Sequence, residues 1–368
     1  MEGLAMLESF DVTTSGGKYK VNVGENLLEF IKPNQHAIFL VDEYFVPQLV
    51  FDAKRVIAIA ALESSKNLDY MSGVIEKMRM LGGNRDTHVY AIGGGTIQDI
   101  ATFVNSIYMR GISWTYFPST LLSMADSCIG GKSSINVKGY KNLVGNIYPP
   151  TEVFVDLGFC KTLERKEIIG GLAEAVKICY ARGNDVFEKY LELNPHYPLD
   201  VKKGVNVLFY ALMAKKFFIE IDEFDQSERL LLNYGHTFGH ALEASSNFEL
   251  AHGVAVALGM MVATQYSNLR SLLNETGENR TKKLDTYLVK LLSPLLGDIR
   301  NILVKVDLKL VMAKFEGDKK HRHEEYRMVI PAANGNLMLH SCPKSEVSKK
   351  LVEEAFKNTF LIHGFLDF

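Results

Sequence analysis

No stretch of this chain approaches the run of about eighteen uninterrupted apolar residues that a membrane-spanning helix requires. Cysteine is scarce as well. The four thiols, Cys128, Cys160, Cys179 and Cys342, are too scattered for a zinc knuckle or a disulfide framework, and free thiols in a reducing compartment are the simplest account. Charge of one sign is missing too: 41 Lys and Arg stand against 43 Asp and Glu, a formal net charge of −2. No basic block is interleaved with aromatics, so a nucleic-acid partner is excluded and any basic site must be local. The N-terminus, Met1-Glu2-Gly3-Leu4, lacks the basic start and apolar core of a signal peptide, which points to the cytoplasm. What remains is the composition of an ordinary soluble protein, 47% hydrophobic and 23% charged. At 368 residues the chain exceeds the size at which a single core splits, so two domains are expected.

The first part alternates strand and helix signals. Ala37 to Val41, Val56 to Ala60, His88 to Ile92 and Ile112 to Phe117 read as buried strands, with helical periods over Asp69 to Gly82 and Thr96 to Met109. That order predicts an α/β domain with a parallel sheet over residues 1–160. From about Leu163 long amphipathic runs dominate: Glu164 to Tyr180, Val201 to Ile221, Ser227 to Ser245, Gly253 to Leu272 and Lys282 to Leu296. Two short strands (Tyr326 to Ile330, Leu337 to His340) and a helix from Ser345 to Thr359 close a mainly helical domain over 161–368. Asn274 to Lys283 is the most loop-like polar stretch, and there is no internal repeat.

Within the helical part, carboxylate, imidazole and lysine recur at helical spacing. Glu174 and Lys177 form an i,i+3 pair, His236 and His240 an i,i+4 pair, and His252-Gly253 follows. Small neighbours (Gly171, Ala173, Ala175, Gly239, Ala241) let such a helix face lie deep with its polar heads converging. One carboxylate plus two or three imidazoles is the ligand set of a catalytic zinc-type site. For any single histidine a satisfied core position is the competing reading; for the set, a metal enzyme is expected.

Gly93-Gly94-Gly95 leaves a strand and opens a helix, a geometry that lets backbone N–H groups approach a phosphate. It is not the G-x-G-x-x-G fingerprint, and a plain tight turn is the alternative. Asp42, at a strand end, is placed to accept from a ribose hydroxyl. The segment Pro118 to Pro150 reads as a long functional loop, with Gly130-Gly131-Lys132 and Lys141-Asn142 suited to an anion.

Taken together, Gly93-Gly94-Gly95-x-x-x-Asp99, Arg110-Gly111, Pro118 to Leu122, Asp126-Ser127, Gly130-Gly131-Lys132, Lys141-Asn142, Gly171-Leu172-Ala173-Glu174-x-x-Lys177, Asn233-x-Gly235-His236-Thr237-Phe238-Gly239-His240, His252-Gly253 and Asp318-Lys319-Lys320 resemble the 3-dehydroquinate synthase family of the sugar-phosphate cyclases. The resemblance is collinear from about Asp42 to Lys320. It implies a Rossmann-like NAD domain followed by a helical metal- and substrate-binding domain. It also implies that Glu174, His236 and His252 bind a divalent ion, Zn or Co, with His240 assigned to the substrate. Asp42, Glu63, Lys66, Gly94, Gly95, Asp99, Ser119, Thr120, Leu122, Lys141, Phe159, Thr162 and Leu163 fall on NAD-contacting positions. Asp126, Lys132, Asn142, Lys177, Lys215, Arg229, Asn233, His240 and Lys320 fall on substrate-pocket positions. Arg110 matches an arginine that a homodimer partner lends to the neighbouring phosphate site.

The implied activity converts 3-deoxy-D-arabino-heptulosonate 7-phosphate to 3-dehydroquinate and phosphate, in the shikimate pathway, by transient NAD oxidation, phosphate elimination, re-reduction and aldol closure. Related cyclases of secondary metabolism take sugar phosphates without a carboxylate, such as sedoheptulose 7-phosphate, and tend to change the Arg229, Asn233 and His240 positions. All three are retained here. A metal-dependent alcohol dehydrogenase would release NADH and need no phosphate-binding lysines. The chain departs from the family at Gln98, which replaces a glycine of the G-G-G-x-x-G-D turn, at Ser119 for threonine, and at Phe224 for arginine. A differently shaped cofactor turn is therefore expected.

Overall fold

The computed structural model describes residues 7–48 and 55–366; the N-terminal Met1 to Leu4 lies outside them. Nine strands and two helices come first: β1 (Glu8–Thr14), β2 (Gly17–Gly24), β3 (Ile38–Asp42), β4 (Val56–Ile59), α1 (Leu68–Met80), β5 (Val89–Gly93), α2 (Gly95–Ile107), β6 (Trp114–Pro118), β7 (Ile135–Val137), β8 (Tyr140–Val144) and β9 (Glu152–Asp156). A seven-stranded sheet runs β1-β2-β9-β6-β5-β3-β4, parallel except for the β1–β2 hairpin. The central strands are mostly apolar and nearly all buried, as helix-covered parallel strands must be. Pairing of Val41 with Ile92 and of Gly93 with Pro118 puts Asp42, Gly94 and Ser119 on the same carboxyl edge, where open α/β sheets bind ligands. The β1–β2 hairpin went unread because β1 buries only Val12 fully, so its alternation is faint. The expected loop from Pro118 to Pro150 is in fact organised, by a helical turn over Ser123–Ser127 and a β7–β8 hairpin.

The helical part follows as α3 (Arg165–Arg182), α4 (Asn184–Glu192), α5 (Val201–Ile221), α6 (His236–Ser245), α7 (His252–Leu269), α8 (Glu275–Leu292), α9 (Leu296–Leu303), α10 (Leu308–Glu316), the β10–β11 hairpin (Glu325–Ala332, Asn336–Pro343) and α11 (Glu346–Ile362). The chain divides into two compact units, 1–163 with 200–223, and 164–199 with 224–368. A single cut after residue 160 therefore misplaces α5, which returns to the first unit and packs on β1. Two other expectations are corrected. The run Ser227 to Ser245 is broken: a 3-10 turn over Glu228–Asn233 ends before Gly235, whose φ of 77° starts α6 afresh. Asn274 to Lys283 is no loop but the cap and first turns of α8. Its inward stripe there is Gly277, Arg280 and Thr281, so no apolar period was visible. Arg280 donates to the carbonyls of Tyr180 (2.7 Å) and Gly335 (3.2 Å) and stacks over the Tyr180 ring. No helix among the described residues is long and apolar enough to cross a membrane.

Helices α3 and α7 meet at glycines. A Cβ on Gly253 would fall inside contact distance of the Gly170 backbone, so no side chain fits between them. This close approach sets Glu174, on α3, against His252 at the start of α7. Overpacking typically costs about 1–3 kcal/mol. Gly253→Ala is expected to lower the unfolding free energy by that much, read from denaturant titration, and an unchanged value would refute the close packing.

On α8, one Asp285 carboxylate oxygen is sealed from solvent without a hydrogen-bond partner, and burial pushes the carboxyl up to about 8. A carboxyl raised from 3.8 contributes stability that is full below pH 4 and is lost as pH rises through about 8. Asp285→Asn should flatten that decline, so its melting temperature should exceed that of the wild type at pH 8.5 by more than at pH 5. Parallel melting curves for the two proteins across this range would remove Asp285 as the source of the decline.

Candidate active site

In the second unit, α3 carries Glu174 and Lys177 one turn apart, each 1% exposed and ion-paired. Glu174 Oε1 lies 3.7 Å from His236 Nε2 and 3.6 Å from His252 Nε2. The ligand atoms of His236, His240 and His252 all lie within 4.8 Å of one another. Geometry alone thus groups three imidazoles, two of them against the Glu174 carboxylate.

The other ring nitrogens separate them. His236 Nδ1 sits 3.2 Å from the Tyr234 carbonyl, and His252 Nδ1 3.0 Å from Glu243 Oε2. Both acceptors place the N–H on Nδ1 and leave Nε2 with its lone pair toward Glu174, the arrangement that outer partners impose on metal-ligating histidines. His240 is engaged differently: its Nδ1 is 3.3 Å from Lys320 Nζ and 3.7 Å from Asp318 Oδ2. Lys320 also meets Asp318 at 3.3 Å.

The electrostatics follow. Burial, aided by the Lys177 charge, holds the His236 imidazole well below its ordinary range and hence neutral. Burial also lowers His240, partly offset by Asp318. At His252 burial pulls downward, but the Glu243 hydrogen bond and the Glu174 charge outweigh it. Asp318 is held well below the usual carboxylate range because His240 and Lys320 overcome its burial. Imidazoles beside a carboxylate, with outer acceptors fixing the rings, are the donor chemistry a zinc-type ion needs.

Glu243 was not singled out in the sequence, and Asp318 entered only as part of the Asp318-Lys319-Lys320 motif, with no role of its own. Glu243 stands seven residues after His236 and three after His240, so the face of α6 that carries both histidines carries it too. Outer partners of this kind are worth about 10–100-fold in metal affinity. Glu243→Ala is expected to weaken metal binding on that order, read by titration against a chelator. Asn233 and Lys320 line a cavity of about 370 Å³ with Thr237, Lys319 and Arg327, and Arg229 is buried on the turn that precedes Asn233.

In the first unit, α2 begins at Gly95, and a Cβ there would enter open space, so the turn leaves room against the helix N-terminus. Gln98 does not distort it: its N–H bonds the Gly94 carbonyl at 3.0 Å in a regular first turn. Asp99 accepts from the Ser134 N–H (2.9 Å) and meets Lys66 Nζ (3.1 Å), yet burial still raises it to about 6. Asn136 links Glu63 (2.8 Å) to the Asn142 backbone (2.8 Å). Asp42, half-buried, is raised by burial and accepts from the Tyr44 N–H. Ser119, Thr120 and Leu122 follow β6, and Phe159, Thr162 and Leu163 follow β9, on the same carboxyl edge.

Lys215, on α5, is bound to the Asp126 carboxylate (2.6 Å) and to the carbonyls of Asp126 and Ile129. Lys132 bridges to Ile147, while Lys141 and Asn142 stand exposed on β8. Arg110 is not brought to this edge. It is exposed beyond the far end of α2, at a φ of 70°.

The fold is that of the sugar-phosphate cyclases. The structure superposes on 2-deoxy-scyllo-inosose synthase, solved with carbaglucose-6-phosphate, NAD+ and Co2+, with a TM-score of 0.82 at 23% identity over 95% of this chain and 99% of that one. It superposes also on the 2-epi-5-epi-valiolone synthase ValA from Streptomyces hygroscopicus, solved with NAD+ and Zn2+, at 0.72, 24% identity, and 94% and 97% coverage. An iron-containing alcohol dehydrogenase from Thermococcus thioreducens follows at 0.62 and 16% identity, over 94% and 99%. At these identities the likeness concerns architecture alone. Sequence goes further: the 3-dehydroquinate synthase N-terminal family matches residues 56–170 and the C-terminal family 171–321. A 3-dehydroquinate synthase from Dictyoglomus turgidum is 32% identical over 94% of this chain and 98% of its own. One from Saccharolobus solfataricus is 32% identical over 87% and 86%. The chain belongs to the 3-dehydroquinate synthase family.

Proposed function

We propose that this protein converts 3-deoxy-D-arabino-heptulosonate 7-phosphate to 3-dehydroquinate and phosphate, with NAD and a divalent ion, Zn or Co, as resident cofactors. The observation that carries this reading is the cluster of Glu174 with His236, His240 and His252, in a chain whose relatives over nine tenths of its length bear that activity. Glu174, His236 and His252 would hold the ion. Gly94, Gly95, Asp99, Asp42 and the Ser119–Thr120 turn would hold the dinucleotide. When bound, the ion would supply Lewis acidity toward a substrate hydroxyl and NAD a reversible hydride acceptor, so turnover would leave no net redox change.

The chain's own residues do the holding. In the second unit, Lys320 and a neutral His240 bind phosphate oxygens, and Asp318 orients both. Arg229 receives the carboxylate, which a planar fork binds bidentately, and Lys177, paired with Glu174, serves the substrate as well. Asn233 lines the adjoining cavity. In the first unit, Lys132, Lys141 and Asn142 supply a cation-rich hairpin for phosphate, and Asp126, held by Lys215, meets substrate hydroxyls. Arg110, exposed in one protomer, would serve its partner's phosphate in a homodimer. A cytoplasmic location fits such an enzyme.

The test is phosphate release from the heptulosonate phosphate, run beside sedoheptulose 7-phosphate and glucose 6-phosphate, with the cyclic product identified. Phosphate should appear with no net change in NADH absorbance. NADH accumulating at the turnover rate would replace the cyclase by a dehydrogenase.

A further inference from the structure

Gln98, which by the resemblance takes the place of a glycine, uses both ends of its side chain. It is 3% exposed, with Nε2 donating to the Ser127 carbonyl at 2.5 Å while Ser127 Oγ donates to its Oε1 at 2.6 Å. Both ends of one carboxamide are thus spent on one residue of a neighbouring segment. That residue follows Asp126, whose carboxylate and carbonyl are gripped by Lys215. Lys215 bonds the Ile129 carbonyl as well, at 3.2 Å. The Asp126–Ile129 segment is therefore pinned from two sides, by α5 through Lys215 and by α2 through Gln98. The first turn of α2 is also the turn that begins at Gly95 and carries Asp99.

We infer that Gln98 is a positioning residue, a two-point strap that fixes Asp126 to the first turn of the helix at the glycine turn. A glycine at this position would have no side chain to form either bond, so the link depends on Gln98 itself. Its catalytic consequence rests on Asp126 meeting the substrate, as proposed above; the strap itself does not. Ser127 is exposed, so without Gln98 little else holds its hydroxyl. The segment would then sample positions that displace Asp126, lowering kcat more than dinucleotide affinity.

Gln98→Met keeps the length and bulk of the side chain and removes both hydrogen bonds. Amide hydrogen exchange of the peptide spanning 123–131 should quicken by roughly tenfold, the size expected from losing two neutral hydrogen bonds, with α5 unchanged. In the same protein kcat on the heptulosonate phosphate should fall by about tenfold, while the NAD dissociation constant moves by less than about twofold. Ser127→Ala, an exposed substitution that spares the carbonyl bond, should lose about threefold in kcat at an unchanged melting temperature. Added to Gln98→Met it should cost nothing further, because the two act through one contact. Exchange in Gln98→Met that matches the wild type would overturn the strap, whatever the substrate. Additive losses, or wild-type kcat in both single variants, would overturn its positioning role. Should Gln98→Met fail to fold, wild-type exchange and kcat in Ser127→Ala decide against it. Wild-type kcat in Asp126→Asn, with faster exchange in Gln98→Met, would instead remove Asp126 from the substrate and leave the strap standing.

Discussion

Glu174→Ala, His236→Ala and His252→Ala are each expected to yield protein nearly empty of divalent metal and nearly inactive, whereas His240→Ala should keep its metal and lose activity. The expectation is sharp because the three imidazoles are almost equivalent by position, with ring centroids 5.3 to 5.5 Å apart. What divides them is the far nitrogen. His236 and His252 spend Nδ1 on an acceptor and aim Nε2 at Glu174, while His240 spends Nδ1 on Lys320 and Asp318. A ligand anchored in that way loses its ion when truncated, by more than the about 10–100-fold that its outer partner is worth. His240, anchored to a lysine, is expected to serve the anion instead. Metal content by atomic absorption after gel filtration, with phosphate release on the same samples, separates the outcomes. Equal metal loss in His240→Ala and His236→Ala would return His240 to the ligand set.

The legible parts of the chain were those whose chemistry repeats at the local period. Val201 to Ile221 could be read to its final residue because its apolar stripe is unbroken and Asp200 caps it. The His236–His240 pair could be read because both rings lie on one face of one helix. The break before α6 could not, since Leu230, Leu231 and Leu232 continue an apolar run straight into a turn set by the φ of Gly235. The fold of α5 back onto β1 is a long-range contact with no local trace. The roles of Glu243 and Asp318 become visible only when α6, α7 and the segment after α10 are brought together. Each is an ordinary surface-type carboxylate in sequence, and only its imidazole partner gives it a role. Gln98 is the converse case: its oddity was plain in sequence, but the purpose lies in a partner 29 residues away.

Arg229→Ala should weaken kcat/KM for the heptulosonate phosphate by on the order of a hundredfold or more, and should matter much less for sedoheptulose 7-phosphate. The guanidinium is 4% exposed, on the 3-10 turn that leads into Asn233 and the His236 helix. An arginine this deep has given up its hydration, and a ligand anion that meets it is correspondingly favoured. Removing one partner of a buried charge pair costs about 3–5 kcal/mol, much of it the penalty of leaving the other charge unmatched. For a carboxylated substrate the truncation strands that carboxylate in a dry pocket. For a neutral-ended sugar phosphate no charge is stranded, and the enlarged pocket changes binding only modestly. The discriminating quantity is therefore the ratio of the two kcat/KM values rather than either alone. Wild type should favour the heptulosonate, and Arg229→Ala should collapse the ratio by about the same hundredfold. A wild type that prefers sedoheptulose 7-phosphate, or a ratio that the mutation leaves untouched, would remove the carboxylate from the substrate and place the activity among the secondary-metabolism cyclases.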